Sequence, residues 1–581
     1  MAESGQLGES VARRAGRRSD TLPVMAGRHD YDWVVVGSGF GGSVSALRLA
    51  ERGYRVAVLE TGRRWADDEF PRSAWQLRRY VWAPGLGLRG FLRLSVLDHV
   101  SVASGVGVGG GSLSYANTLL VPDEEVFSHP HWSGLRDWVA DLAPHYAEAR
   151  RMLGATTYTH DVGEHDPADG LLHRLAVARG IQAEYRPTDV GVFLGTPGVR
   201  VPDPFLDGEG PERTGCTRCG DCLLGCRVGA KNTLVKNYLH LAERRGVDIL
   251  PGHEVSSVRP LDGARGTTGY RVVAEDSSRR WRRRPARTLT AGGVVLAGGA
   301  VGTTSLLLAL RDRGDLPRVS PRVGSMFRTN GEFVPAVRLP PGTGPEVSHR
   351  VSITSDVRLD EDTHVQTLVY GEHAAMMTAA LTFHTRPGPT WRRTLQLLGS
   401  VLRHPGQVLD GLRAGSRRAV MLLHMQHAPG ALRLVLRDGR VRTEQDPDEP
   451  LPTHLPLSVE VSREMAALAG GLPQAQLLDS LAGLGMTAHP LGGAVIGATS
   501  EEGVVDADQR VFGYDRLLVC DGSVIPANLG SNPSLTITAL AELAMSTVPP
   551  AHGSGESSTV LATRTVDPAP PTPGPASSGD S

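Results

Sequence analysis

Apolar residues follow two patterns along the chain. In the first, a short continuous run (Trp33-Val-Val-Val36) stops at Gly37-Ser-Gly39-Phe-Gly-Gly42. Val44, Leu47 and Leu49 then recur at helical spacing through Ser43–Arg52, and a second run, Arg55–Leu59, ends at Glu60. Short apolar runs between glycine turns predict strands buried on both faces, so this region reads as strand, turn, helix, strand. The pattern returns downstream. It predicts a helix over Lys231–Arg245, a strand over Val247–Leu250, a strand from Val294 through Gly298-Gly299 into a helix over Thr303–Leu310, and a last strand, Leu517–Cys520, closed by Asp521-Gly522-Ser523. In the second pattern apolar and polar residues alternate, as in Val351-Ser-Ile-Thr354 and Leu432-Arg-Leu-Val-Leu-Arg437. Alternation predicts the strands of an antiparallel sheet.

These patterns predict an α/β chain. A Rossmann-like nucleotide-binding domain is expected over 30–122, 216–329 and 481–548. An α+β substrate-binding domain built on an antiparallel sheet is inserted from 123–215 and 330–480. Residues 1–29 and 549–581 are rich in small and polar residues and are expected to be disordered. Ala291–Leu310 is uncharged and long enough to span a bilayer, but Gly298-Gly299 splits it into strand and helix. No apolar run follows Arg13-Arg14 or Arg17-Arg18, so no secretory signal is expected and the location expected is cytoplasmic, at most peripheral to a membrane. A net charge of −1 without a basic tail favours no nucleic-acid partner.

Each glycine of the first turn has a mechanical reason. Gly37 makes the turn, Gly39 lets a pyrophosphate approach the backbone, and Gly42 lets helix and strand pack; the helix N-terminus then offers free N–H groups. Glu60 ends the second strand, where an acid can accept from ribose hydroxyls, which argues against NADP. A second glycine loop, Gly105–Ser112, and the strand at 294–302 favour FAD, whose length needs backbone contacts beyond the first turn.

Near the C-terminus stand Thr487-Ala-His489-Pro-Leu-Gly-Gly493 and Asn532-Pro-Ser-Leu-Thr536. Oxidising an alcohol by hydride transfer needs a base for the hydroxyl proton and a positive end near the flavin pyrimidine. His489 suits the base, since imidazole changes charge near neutral pH. Asn532 can orient the hydroxyl. Pro533 suits the first position of a helix whose free N–H groups, at 534–536, would face the flavin.

GSGFGGSVSALRLAERGYRVAVLE, GVGVGGGSLSYAN, AKNTLVKNYLHLAERRG, VVLAGGAVGTTSLLL, TAHPLGGAVIG and LLVCDGSVIPANLGSNPSLTITALAE together resemble the glucose–methanol–choline (GMC) oxidoreductase family, most of all its cholesterol oxidase branch. The resemblance covers about residues 30–548. It implies FAD, a substrate domain with a six-stranded sheet, a buried sterol-sized cavity, His489 as base and Asn532 as its partner. The flavin contacts it implies are Gly37, Gly39, Gly42, Glu60, Gly109, Gly110, Ser112, Asn117, Val255, Asp521, Gly522 and Pro533. The activity implied is oxidation of a secondary alcohol, cholesterol or a related steroid, with electrons passing to dioxygen. A dehydrogenase of another bulky alcohol, wired through iron–sulfur to a carrier, and a flavin electron carrier without turnover are the alternatives. The branch also carries a glutamate that moves a proton during double-bond isomerisation; Glu372 and His373 are candidates for that role.

Cys216, Cys219, Cys222 and Cys226 have the spacing of bacterial ferredoxin ligands, without the following Pro. An iron–sulfur cluster, a zinc site, disulfides and reduced structural thiols remain open; Cys520 is a distant candidate for a further ligand. Lys231 and Lys236, the only lysines in the chain, follow directly; compact ammonium groups near a phosphate or an anionic cluster would explain them. Pro389–Met425 sets Trp391, Leu395, Leu398, Val401 and Leu402 against Arg392, Arg393, Arg403 and His404. It reads either as an ordinary surface helix or as a lid that touches a membrane surface.

Overall fold

The computed structural model describes residues 29–159, 166–277, 286–342, 346–452 and 454–551. The disorder expected of the two termini therefore falls almost wholly outside the described residues. The buried run ending at Val36 and the fully buried Val56–Glu60 form adjacent parallel strands, joined by the helix Phe40–Glu51. A sheet of seven strands grows around them in the order Asp248–Pro251, Val56–Glu60, Tyr31–Val36, Ala286–Leu296, Tyr270–Asp276, His253–Pro260. Ala286–Leu296 serves three partners. Its first half is antiparallel to Tyr270–Asp276; its second half runs parallel to Tyr31–Val36 and to Leu517–Val519. That parallel core is the nucleotide-binding half.

The second large sheet is antiparallel: Leu381–Thr382, Leu472–Gln476, Ala336–Arg338, Ala419–Gln426, Thr363–Leu368, Ile353–Arg358 and Tyr185–Pro187. It has seven strands where the resemblance implied six, a two-residue edge strand included. Helices Pro167–Ala178 and Pro456–Ala469 pack on it around their own apolar core. A small third sheet decides where the chemistry sits. Gly485–Thr487 lies parallel to Val100–Gly105, which is also paired with Leu92–Val96. This pairing delivers the His489 turn beside the second glycine loop.

Several local expectations shift. The helix expected from Lys231 starts only at Tyr238, after one tight turn at Leu234–Lys236. Lys231 is buried with its ammonium group spent on the carbonyls of Leu113, Tyr115 and Cys222, and Asn237 caps the helix at Tyr238. The helix expected from Thr303 begins at Gly299, where Asp521 accepts the Gly299 N–H. Helix Trp138–Leu153 and the hairpin Leu432–Arg437/Arg440–Gln445, both inside blocks assigned to the substrate domain, pack into the core of the nucleotide half.

Candidate active site

One cavity of about 620 Å³ runs from the glycine turns to the face of the antiparallel sheet. At one end lie Gly37, Gly39, Glu60, Gly110, Val255, Asp521 and Gly522. Gly37 has φ +99, and a Cβ there would lie 2.3 Å from the Ala297 carbonyl oxygen; a Cβ on Gly42 would lie 2.1 Å from the Gly37 oxygen. Both are packing glycines. Gly39, Gly299 and Gly302 differ, since a Cβ on any of them meets nothing within 4 Å. Open space over bare backbone at helix N-termini is the shape a dinucleotide phosphate needs, so these residues fit FAD.

Glu60 braces this end. It accepts from Ser38 N and Oγ (3.1 and 2.7 Å), Gly62 N (2.9 Å) and Gly107 N (3.1 Å). Burial pushes its carboxyl up against those donors. Asp521 does the same for the third turn: burial raises its pKa, while Ser523, Thr303 and Gly299 donate to it. Both acids tie glycine loops to one another as well as lining the cavity.

At the other end His489, Asn532 and Pro533 line the cavity with Tyr80, Ile353, Leu368 and Met377. The His489 backbone is set by Thr487 Oγ1, which accepts its N–H at 2.9 Å, and by two left-handed glycines. A Cβ on Gly492 would lie 1.8 Å from the Met326 oxygen. Glu332, missed from the sequence, is buried beside the ring. It accepts from Thr487 Oγ1 (2.7 Å) and Ala488 N (2.8 Å), and its Oε2 lies 3.4 Å from His489 Nδ1, close enough for attraction though short of hydrogen-bond alignment. Nε2 is thus the ring nitrogen left to the substrate. The helix after Asn532 starts at Ser534, with Pro533 one position earlier than expected, at its N-cap.

Asn532 is held by a chain of groups that the sequence did not suggest. Gln366 Nε2 donates to Asp356 Oδ1 (3.2 Å) and to Asn532 Oδ1 (2.9 Å). A carboxylate accepts only, so it dictates the Gln366 amide, which in turn dictates that of Asn532 and leaves Asn532 Nδ2 as the donor toward the cavity. Beyond Asp356 stands His364, 3.0 Å from Asp356 Oδ2 and 3.1 Å from Asp123 Oδ2. Burial opposes its charge, but hydrogen bonds to the two carboxylates outweigh it and lift its pKa to about 9. Replacing Gln366 by Met is expected to lower kcat by about tenfold, ~1.4 kcal/mol of lost amide positioning, with KM changed less; steady-state kinetics check it. A group with a raised folded pKa stabilises fully below its unfolded value and loses that contribution as pH rises through the folded one. The melting temperature is therefore expected to fall between pH 7 and about 10 more steeply in the parent than in His364→Gln.

Other expected site residues lie elsewhere. Gly109 and Ser112 sit behind the loop: Ser112 Oγ donates to Gly109 O and accepts from Leu234 N. Asn117, at φ +75, faces a second cavity that Cys216, Cys219, Cys222 and Cys226 line. No disulfide joins any of the five cysteines, and Cys520 is buried under the first helix, its carbonyl against Gly41. Glu372 and His373 lie by the cysteine loop, where His373 pairs with Asp221 at 2.7 Å, and neither lines the active-site cavity. Pro389–Met425 forms helices Thr390–Arg403 and Pro405–Ala414 and then a strand. Its apolar stripe faces solvent, with Trp391 60% and Leu402 78% exposed, while Arg393 is buried and donates to Asp479 O and Gly388 O.

A Rossmann-type cradle that fits FAD, continuous with a chamber where an imidazole and an oriented amide meet, defines an FAD-dependent alcohol oxidoreductase. A family model described as GMC oxidoreductase matches residues 211–310 and 410–541, and an NAD(P)-binding Rossmann-like domain matches 35–66. The chain is 43% identical to a cholesterol oxidase of Mycobacterium tuberculosis (strain CDC 1551 / Oshkosh), over 90% of this chain and 91% of that protein. It is 39% identical to a cholesterol oxidase of Acinetobacter baumannii, over 90% of this chain and 95% of that one. The chain belongs to the GMC oxidoreductase family. The crystal structure of pyridoxine 4-oxidase from Mesorbium loti shares the fold, with a TM-score of 0.55 at 18% identity over 89% of this chain and 98% of that chain.

Proposed function

We propose that this enzyme oxidises the 3β-hydroxyl of cholesterol or a related steroid and passes the electrons to dioxygen. The observation that carries the reading is the cavity itself: beside His489 and Asn532 it is walled by Ile353, Leu368, Met376, Met377, Leu423 and Leu484, an apolar surface of the kind a steroid needs. The similarity to cholesterol oxidases supports it. The hydroxyl donates its proton to His489 Nε2 and accepts from Asn532 Nδ2, while the helix N-terminus at Ser534 faces the same space. FAD in the cradle supplies the hydride acceptor. A panel of alcohols tested on the purified yellow protein, with peroxide measured, decides the substrate. Cholesterol is expected to give one peroxide per ketone formed; faster turnover of short primary alcohols, or ketone without peroxide, would overturn the reading.

Such a substrate resides in bilayers. The helix Thr390–Arg403 turns Trp391, Leu395, Leu398 and Leu402 outward, and Arg393 roots it on the helix Leu477–Ala482, whose Leu477 and Leu478 line the cavity. We propose that this face rests on the lipid surface during uptake. Trp391→Ser with Leu402→Ser is expected to weaken co-sedimentation with sterol-containing vesicles while leaving turnover of a detergent-dispersed sterol intact; unchanged sedimentation rules the face out.

A further inference from the structure

We infer that the loop Cys216–Cys226 holds an iron–sulfur cluster, ligated by Cys216, Cys219, Cys222 and Cys226, directly behind the wall of the flavin pocket. All four cysteines line one cavity, together with Asn117, Asp221 and Lys231. In two-cluster ferredoxins the fourth cysteine of this spacing serves a different cluster, whereas here the chain folds back and brings it to the same cavity. The bend is made at Arg218, Gly220 and Gly225, at φ +57, +73 and +83.

The spacing of the thiols selects among the occupants. A single zinc ion at about 2.3 Å from each sulfur draws its ligands within about 4.6 Å of one another. Among the described residues no three of these cysteines have sulfurs within 4.8 Å of one another, and none is in a disulfide. Four thiolates from one loop are instead the donor set of an iron–sulfur cluster. Two groups around the cavity suit an anionic occupant. Asn117 is fully buried with both amide atoms unpartnered, the state of a side chain waiting for a polar ligand. Lys231 is buried beside the loop, its Nζ 2.9 Å from Cys222 O, and supplies positive charge to an anionic cluster. The Arg218 N–H points at Cys216 Sγ (3.4 Å), as donors to cluster sulfurs do.

Two segments form the wall between the cavities. Tyr115 and Ala116 face the flavin pocket and Asn117 the cysteines; Leu223 faces the flavin pocket and Cys222 the cysteines. Lys231 bonds to both segments, through Tyr115 O and Cys222 O. The cluster thereby offers a one-electron exit. The alcohol loses its hydroxyl proton and a hydride; the two electrons go to dioxygen when no carrier is present, and leave singly through the cluster when a one-electron carrier docks near the exposed Cys219. This route, though not the cluster site, rests on the alcohol-oxidation reading.

The test uses the full chain, purified and reconstituted anaerobically with ferrous iron and sulfide. Iron and acid-labile sulfide are expected together, several of each per chain, with both near background in Cys222→Ser and in Cys219→Ser, and FAD retained in each. One zinc per chain, or iron and sulfide no higher than in the variants, overturns the site; the metal content of the parent protein decides this even if a variant fails to fold. Cryogenic EPR after anaerobic addition of cholesterol is expected to show a reduced-cluster signal that His489→Gln lacks. Flavin bleaching without that signal overturns the electron route and leaves the alcohol reading standing. An unbleached flavin in cluster-loaded protein counts against the alcohol reading alone.

Discussion

Replacing His489 by glutamine is expected to lower kcat/KM for the alcohol by about 10²–10⁴-fold, roughly 3–5 kcal/mol of transition-state stabilisation, with the flavin spectrum and melting temperature unchanged. Glutamine keeps a polar side chain of similar reach, and the turn is set by backbone: Thr487 Oγ1 on the His489 N–H and the left-handed Gly492 and Gly493. What is lost is a ring nitrogen that can take a proton while Glu332 faces the other one at 3.4 Å. Glu332 itself stays held by Thr487 and Ala488, so the cavity wall survives. Rapid-reaction measurement of flavin reduction under anaerobic conditions separates this step from reoxidation. A loss of less than about tenfold would remove His489 from the base role and leave the chamber without its acceptor.

What was legible in the sequence is what local periodicity encodes. Residues 31–60 read directly as strand, glycine turn, helix and strand because their burial is continuous and their glycines have steric reasons that one segment can express. His489 and Asn532 could be picked out because unusual residues surround each of them. Gln366, Asp356 and His364 could not. Asp356 and Gln366 become cross-strand partners only once Ile353–Arg358 pairs with Thr363–Leu368, and the link to Asn532 spans two domains. Nothing in an alternating strand says which polar residue faces a catalytic amide. Asn117 shows the reverse problem. Its motif marked it as a flavin contact, but a left-handed backbone at φ +75 turns its side chain to the cysteine side of the wall. Lys231 stands out in an arginine-rich chain, and its burial against three carbonyls gives the reason: a compact ammonium fits there.

Alanine at Gly37 and alanine at Gly39 are expected to fail in opposite ways, although the residues are neighbours in one motif. At Gly37 the backbone is left-handed and a Cβ would sit 2.3 Å from the Ala297 oxygen and 2.8 Å from its carbon. The conformation alone costs about 1–3 kcal/mol for a residue with a side chain, and relieving the overlap separates the first strand's turn from the strand beside it. Gly37→Ala is therefore expected to melt at lower temperature and to emerge without flavin. At Gly39 φ is −71 and a Cβ meets nothing within 4 Å, so the apoprotein should fold as before. The methyl group instead occupies the space a pyrophosphate would take over the helix N-terminus, so FAD affinity is expected to fall by tenfold or more, at least about 1.4 kcal/mol. Thermal melts of the two apoproteins beside FAD titrations distinguish the outcomes. If Gly39→Ala bound FAD as tightly as the parent, the phosphates would have to lie elsewhere, and the orientation of the cofactor relative to His489 would have to be redrawn from the other glycines, Gly299 and Gly302.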